Sequence, residues 1–219
     1  MTVNQGVRGS SPRRGANFMY SIVIPYLSTS KYIDRCKHFL EINKSLPYEL
    51  VEIVDETDVY YAFNYGVYKA KYDKVILLND DMIVSKGWDY PLLKHNNMET
   101  ITTGYVIEPN PGINHRPNGE TISNIKLDCG QSIDVFDYDK FQQFVDSSQE
   151  PDVVQNSKGW YMPICFDKKS FVSYPNRVKF PYEQNDVLLI DYVLPNLGYK
   201  FAKVKSFVYH FQSKSLKED

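Results

Sequence analysis

Residues 75–82 read Val-Ile-Leu-Leu-Asn-Asp-Asp-Met, an apolar run that stops abruptly at two adjacent carboxylates. A short run of unbroken apolar residues is what a strand buried on both faces requires. In an open α/β sheet, ligands bind in the crevice beyond the carboxyl ends of the strands, and Asp80 and Asp81 would stand there. Two acids withdrawn from water need a cation or hydrogen-bond donors to satisfy them. A divalent ion bound to a diphosphate would serve, because hard cations take carboxylate and phosphate oxygens together. The alternative is a polar turn that caps the next helix.

The flanking sequence repeats the pattern. Tyr20-Ser-Ile-Val-Ile-Pro-Tyr26 reads as a buried strand stopped by Pro25. Residues 31–45 set Ile33, Phe39, Leu40 and Ile42 among charges, as an amphipathic helix would. Residues 49–55 form a second strand that again ends in an acid, Asp55; residues 58–71 form a helix, and 75–78 the third strand. This β-α-β-α-β order predicts an α/β fold with a right-handed, mixed but mostly parallel central sheet flanked by helices.

Further on, a helix is expected from Gly87-Trp88 to about His95 and a strand from Ile101 to Ile107. Residues 108–119 are rich in Pro, Gly and Asn and read as a long loop, and long loops in compact domains are often functional. Residues 146–158 read as a surface excursion or a mobile lid. A strand over 160–166, a short helix over 168–174 and a longer one over 186–197 follow. Pro195 would strain or end the last turn, Gly198 would cap it, and residues 200–210 would close the domain as a strand.

The 219 residues suit one domain over 18–219, preceded by a disordered leader, 1–17, which has three arginines, no acid and no apolar centre. With 42% apolar and 24% charged residues the composition is that of an ordinary globular protein, and a net charge of −2 argues against nucleic-acid binding. No apolar run approaches the roughly 20 residues that span a bilayer. Cys36, Cys129 and Cys165 lack zinc-like spacing and read as reduced thiols, so the expected location is cytoplasmic. Tyrosine, at 18 residues, is abundant, and its amphipathic ring is a good platform for a sugar face.

Taken in order, several segments carry a family resemblance. They are Ser21-Ile-Val-Ile-Pro-Tyr26; Asn64-x-Gly66-x-x-x-Ala70 leading into Asn79-Asp80-Asp81; Gly159-Trp160-Tyr161-Met162 with Pro181-Tyr182-Glu183-Gln184-Asn185-Asp186; and Gly198-Tyr199-Lys200 running to Val208-Tyr209-His210-Phe211. Over residues 20–213 the chain resembles the GT-A fold glycosyltransferases, with their Rossmann-like single domain. The likeness is to the inverting enzymes of family 2, in the short form found in large DNA viruses and bacteria. For a viral chain the location would be the host cytoplasm.

The resemblance implies a metal-dependent transfer of a sugar from a nucleotide-diphosphate sugar, with a uridine-linked donor as one option, to a hydroxyl of a glycan or other acceptor. A Mn²⁺ or Mg²⁺ ion would neutralise the departing diphosphate. Asp81 would ligate the metal, and His210 is the candidate second ligand, or else a histidine satisfied by backbone at a strand end. Asp80 or Asn79 would contact ribose or a metal-bound water, although Asn79 stands where the family's first acid is expected. Pro25 and Tyr26 would pack on base or ribose, and Asn64 would reach the same groups. Asp55 would accept from a uracil-like N–H, or form a turn or helix cap with Thr57 and Asp58.

Inverting transfer also needs a base for the acceptor hydroxyl. Asp186 is the favoured candidate, with Glu183 binding acceptor, and Asp186 would also suit a helix N-terminus. Trp160 and Tyr161 would wall the acceptor site, or belong to the core. Two other readings stand beside this one. A sugar-phosphate nucleotidyltransferase would favour a glycine-rich loop after the first strand, where the chain has Leu27-Ser-Thr-Ser-Lys31. A degenerate domain binding nucleotide or glycan without turnover would accommodate Asn79 and Gln184.

Overall fold

The computed structural model describes residues 19–111, 114–115, 121–122, 124–155, 162–169 and 198–211. The expected leader, the pair Trp160 and Tyr161, the acids Glu183 and Asp186, the helix over 186–197 and all but the start of the one over 168–174 lie outside the described residues.

The alternating front half folds as its periodicity predicts. Strand β1 (Tyr20–Tyr26), helix α1 (Ile33–Asn43), strand β2 (Tyr48–Val54), helix α2 (Val59–Lys69) and strand β3 (Lys74–Leu77) follow in order. β1 lies between β2 and β3 and is parallel to both. Beyond them come β4 (Met82–Val84), α3 (Asp89–His95), β5 (Thr100–Glu108), the two-residue strands β6 (Asn114–His115), β7 (Thr121–Ile122) and β8 (Ile125–Lys126), α4 (Tyr138–Ser147), β9 (Val153–Gln155), β10 (Ile164–Asp167) and β11 (Lys200–His210). The main sheet has the order β2-β1-β3-β10-β5-β11-β4, with β8 against β5 and β9 against β11. Strands β1, β2, β3, β5, β8 and β11 run one way and β4, β9 and β10 the other. The result is a mixed, mostly parallel sheet flanked by helices, compatible with a single Rossmann-like domain.

Pro25 does not stop β1, which continues to Tyr26 with Pro25 opposite Ile53. Val23 O accepts from Leu78 N, so the backbone of residues 21, 23 and 25 points toward β3. β3 pairs with β1 only as far as Val23, so the N–H that proline lacks has no ladder to break.

Alternation along β1 also sorts the helices. Val23 faces α2, where a Cβ on Gly66 would come within 2.2 Å of Val23 Cγ1, so glycine lets the helix lie directly on the strand. Tyr20 and Tyr26 point to the other face, where Tyr20 Oη donates to Asp89 of α3 and Lys37 of α1 lies 5.3 Å from the Tyr26 ring. Ile33, Phe39 and Leu40 are buried as expected, but Ile42 is 54% exposed. It falls between the buried positions Cys36, Leu40 and Asn43, on the solvent side of the same helical turn.

Residues 108–119 are not all loop: Glu108 belongs to β5, and Asn114–His115 pairs with Thr121–Ile122. Residues 146–158 are not wholly an excursion or lid either. Asp146 and Ser147 end α4, and Val153–Gln155 pairs antiparallel with β11. Residues 156–158 lie outside the described residues. Gly198 has φ +90°, in the left-handed region that favours glycine, while the helix it is expected to cap lies outside the described residues.

Asp89 fastens α1, β1 and α3 together. Fully buried, it accepts from Tyr20 Oη at 2.9 Å, Ser45 N at 2.9 Å and Leu46 N at 3.0 Å. Asp89→Ala would strand the buried Tyr20 hydroxyl and take the acceptor from the Ser45 and Leu46 amides, and urea unfolding should show a loss of about 2–4 kcal/mol. A loss within experimental error would mean that these donors find other partners.

Candidate functional site

The carboxyl ends of the parallel strands open on one edge of the sheet, which is where the sequence places its polar candidates. Asp80 and Asp81 occupy the turn between β3 and β4 and are 3% and 1% exposed. The element after this turn is strand β4, paired with β11 at the far edge, so the two acids do not cap a helix. The chain therefore crosses the strand ends at Asp80-Asp81 and carries Asp81 to the end of β11.

There the register decides who meets. Met82 pairs with His210, and Phe211 N donates to Asp81 O at 3.1 Å, which sets Asp81 beside the histidine. His210 Nε2 lies 3.5 Å from Asp81 Oδ2. On the other side β5 and β11 are parallel with Ile107 opposite Tyr209, so Glu108 comes next to His210, and its Oε1 is 2.6 Å from Nδ1. Burial by itself disfavours a charged ring. The hydrogen bonds and charges of Asp81 and Glu108 outweigh it and raise His210 to about 10. Asp81 Oδ1 is buried and makes no hydrogen bond among the described residues.

The loop after β1 is tied to both acidic strand ends. Ser30 Oγ donates to Asp80 Oδ2 at 2.5 Å, and Ser28 N donates to Asp55 Oδ1 at 2.6 Å. Asp55 itself has φ +58°, a conformation that Asp adopts more readily than most residues. The Ser28 N–H holds its carboxyl below the ordinary value. Capping of α2 is the work of Asp58, whose Oδ1 accepts from Tyr61 N. Asp55 therefore makes the turn and leaves the helix cap to Asp58.

The remaining candidates are more loosely placed. Pro25 is buried at the end of β1. Tyr26 is half-buried, with its hydroxyl donating to Glu52 Oε2 at 2.7 Å. Asn64 is half-buried on α2, and Asn79 is half-buried just before the acids, its carbonyl 4.0 Å from Cys36 Sγ. Burial and the nearby Asp80 and Asp81 push the Cys36 thiol up, so it stays neutral. Tyr32, whose ring stacks near Phe211, is likewise raised by burial and by Asp81, Asp134 and Asp80.

Glu108, Ser30 and Tyr32 are absent from the sequence-derived set. Glu108 carries the same signal that singles out Asp80, an apolar strand running straight into an acid, but the Pro, Gly and Asn that follow make it read as the start of the loop. Nothing local marks Ser30, whose partner lies 50 residues away.

The Asp81–His210 pair fits a divalent cation in part. A nitrogen and an oxygen 3.5 Å apart lie within reach of one ion that takes bonds of about 2.0–2.2 Å to each. The orphaned Asp81 Oδ1 is a further donor there. Among the described residues no three His, Cys, Asp or Glu side chains form a ready cage. A cation here would need oxygens from a substrate or water, the usual situation for Mg²⁺ beside a phosphate.

A comparison with protein-family models gave no match, and a comparison with curated proteins gave none either. Among the described residues no helix is long and apolar enough to cross a membrane.

The Asp55 anchor gives a direct test of the loop. Because its carboxyl is depressed in the folded state, the anchor is fully present above the ordinary carboxylate range and is lost as pH falls through the depressed value. In Asp55→Ala the Ser28 amide should exchange with deuterium several-fold faster at neutral pH, with exchange in β1 unchanged. Equal exchange at Ser28 would mean that the loop is held by its own turn.

Proposed function

We propose that the chain is a metal-dependent inverting glycosyltransferase of the GT-A kind. It would move a sugar from a nucleotide-diphosphate sugar to a hydroxyl of a glycan or other acceptor. One observation carries the reading: buried Asp81 and half-buried His210 meet at the carboxyl ends of the parallel strands, with a buried carboxylate oxygen that no group among the described residues satisfies. The parallel sheet and the pinned loop after β1 add support, since that edge is where such sheets bind nucleotides. Three buried, disulfide-free cysteines support a reducing, cytoplasmic setting.

In this reading Asp81 and His210 would hold Mn²⁺ or Mg²⁺, which supplies positive charge to the leaving diphosphate. Asp80, fixed by Ser30, and Asn79 would face the ribose or the ion's water. Asp55 would hold the loop that, with Pro25 and Tyr26, borders the base, and Asn64 would approach from α2. The acceptor oxygen would attack the anomeric carbon as the diphosphate leaves from the opposite side, inverting that centre. Asp186, with Glu183 beside the acceptor, would take the hydroxyl proton, and Trp160 and Tyr161 would stack on the acceptor ring.

The test is release of nucleoside diphosphate from a panel of nucleotide sugars, with Mn²⁺ or with chelator. Release from one donor should depend on metal and should fall about 10²–10³-fold in Asp81→Asn, the scale of losing one electrostatic stabiliser of a leaving group. Metal-independent release, or Asp81→Asn at the wild-type rate, would overturn the reading. Metal-dependent nucleotide binding without release, even with glycan acceptors, would favour the second reading, a binding domain without turnover. Asn79, standing where an acid is expected, is the feature that supports it.

A further inference from the structure

The contact between Glu108 and His210 is shorter than that between His210 and Asp81, 2.6 Å against 3.5 Å. The ring is thus fastened to the strand at its side and stands at a distance from the acid in front of it. Glu108 is 5% exposed and sits on backbone held from both sides. β5 pairs with β11 up to Ile107–Tyr209, β8 pairs alongside with Lys126 opposite Glu108, and Leu127 N donates to Glu108 O at 3.0 Å. A carboxylate so mounted has little freedom to follow the ring; the ring follows it.

An imidazole gives a metal one nitrogen, and which one is decided by what the other nitrogen bonds. We propose that Glu108 is the positioning residue of the cation site: it takes the Nδ1 side of His210 and thereby aims Nε2 at the space beside Asp81. This rests on the cation site proposed above. A carboxylate behind the ring also makes Nε2 a stronger donor, so Glu108 would raise affinity without touching the ion. A merely structural Glu108–His210 ion pair would contribute to stability and leave metal affinity alone.

Mn²⁺ affinity of the full chain, read from the spin-resonance signal of free Mn²⁺, separates the two roles. The wild type should bind, His210→Ala should lose most of that affinity, and Glu108→Ala should bind about 10- to 100-fold more weakly. Glu108→Gln, which still accepts from Nδ1–H but lacks the charge, should recover part of the loss. Glu108→Ala combined with His210→Ala should bind no more weakly than His210→Ala alone, because Glu108 acts only through the ring. In Mg²⁺-loaded wild type the ¹⁵N shifts of His210 should show a protonated Nδ1 and a ligated Nε2. Affinity in Glu108→Ala within roughly twofold of wild type, while His210→Ala weakens it, would overturn the positioning role and leave the cation site standing. No Mn²⁺ binding by the wild type at millimolar concentration would remove both.

Discussion

His210 is held between two buried carboxylates, and to bring the three together the sheet must deliver the ends of β5 and β11 and the start of β4 to one point. Charges removed from water destabilise a fold unless each is met, so the arrangement demands an exact strand register. A one-residue slip of β5 against β11 would turn Glu108 to the other face of the sheet and leave the imidazole Nδ1 without its partner. The parallel pairing of β5 with β11 and the antiparallel pairing of β4 with β11 are therefore the constraints on which the site depends. Asp80 and its bond to Ser30 extend the same cluster to the loop after β1.

Among the described residues the site also gathers more acid than base. Asp81 and Glu108 flank the imidazole, Asp80 precedes Asp81 in the turn, and among the same described residues Asp81 Oδ1 has no hydrogen-bond donor. A fold that only needed a stable corner would do as well with apolar side chains of similar volume. A buried carboxylate half-satisfied among the described residues, at the ligand-binding edge of a parallel sheet, supports the proposed cation site over a purely structural role.

Much of this was legible in the sequence because it rests on local signals. The alternating strands and helices from Tyr20 to Leu77 announce themselves by period and by acids at strand ends, and the closing strand matches residues 200–210. Asp80 and Asp81 stand out because they end an apolar run, whereas the ligand roles expected of Asp81 and His210 come from the resemblance alone. What was lost depends on pairing across distance. β4 and β9 are three residues each, too short to show a period, and exist because β11 offers them an edge. Helix α4 is different, since Asp137 caps it and Phe141, Phe144 and Val145 recur at helical spacing, a local signal that the sequence does carry. Glu108 was hidden by the prolines and glycines that follow it, which drew the strand boundary one residue early.

The measurement closest to the central claim is anomalous diffraction from crystals grown with Mn²⁺ and a nucleoside diphosphate. The account predicts a single strong peak bonded to Asp81 and to His210 Nε2, with diphosphate oxygens completing the ion's shell and Glu108 still on Nδ1. A peak elsewhere, or a nucleotide bound with no ion between Asp81 and His210, would contradict it.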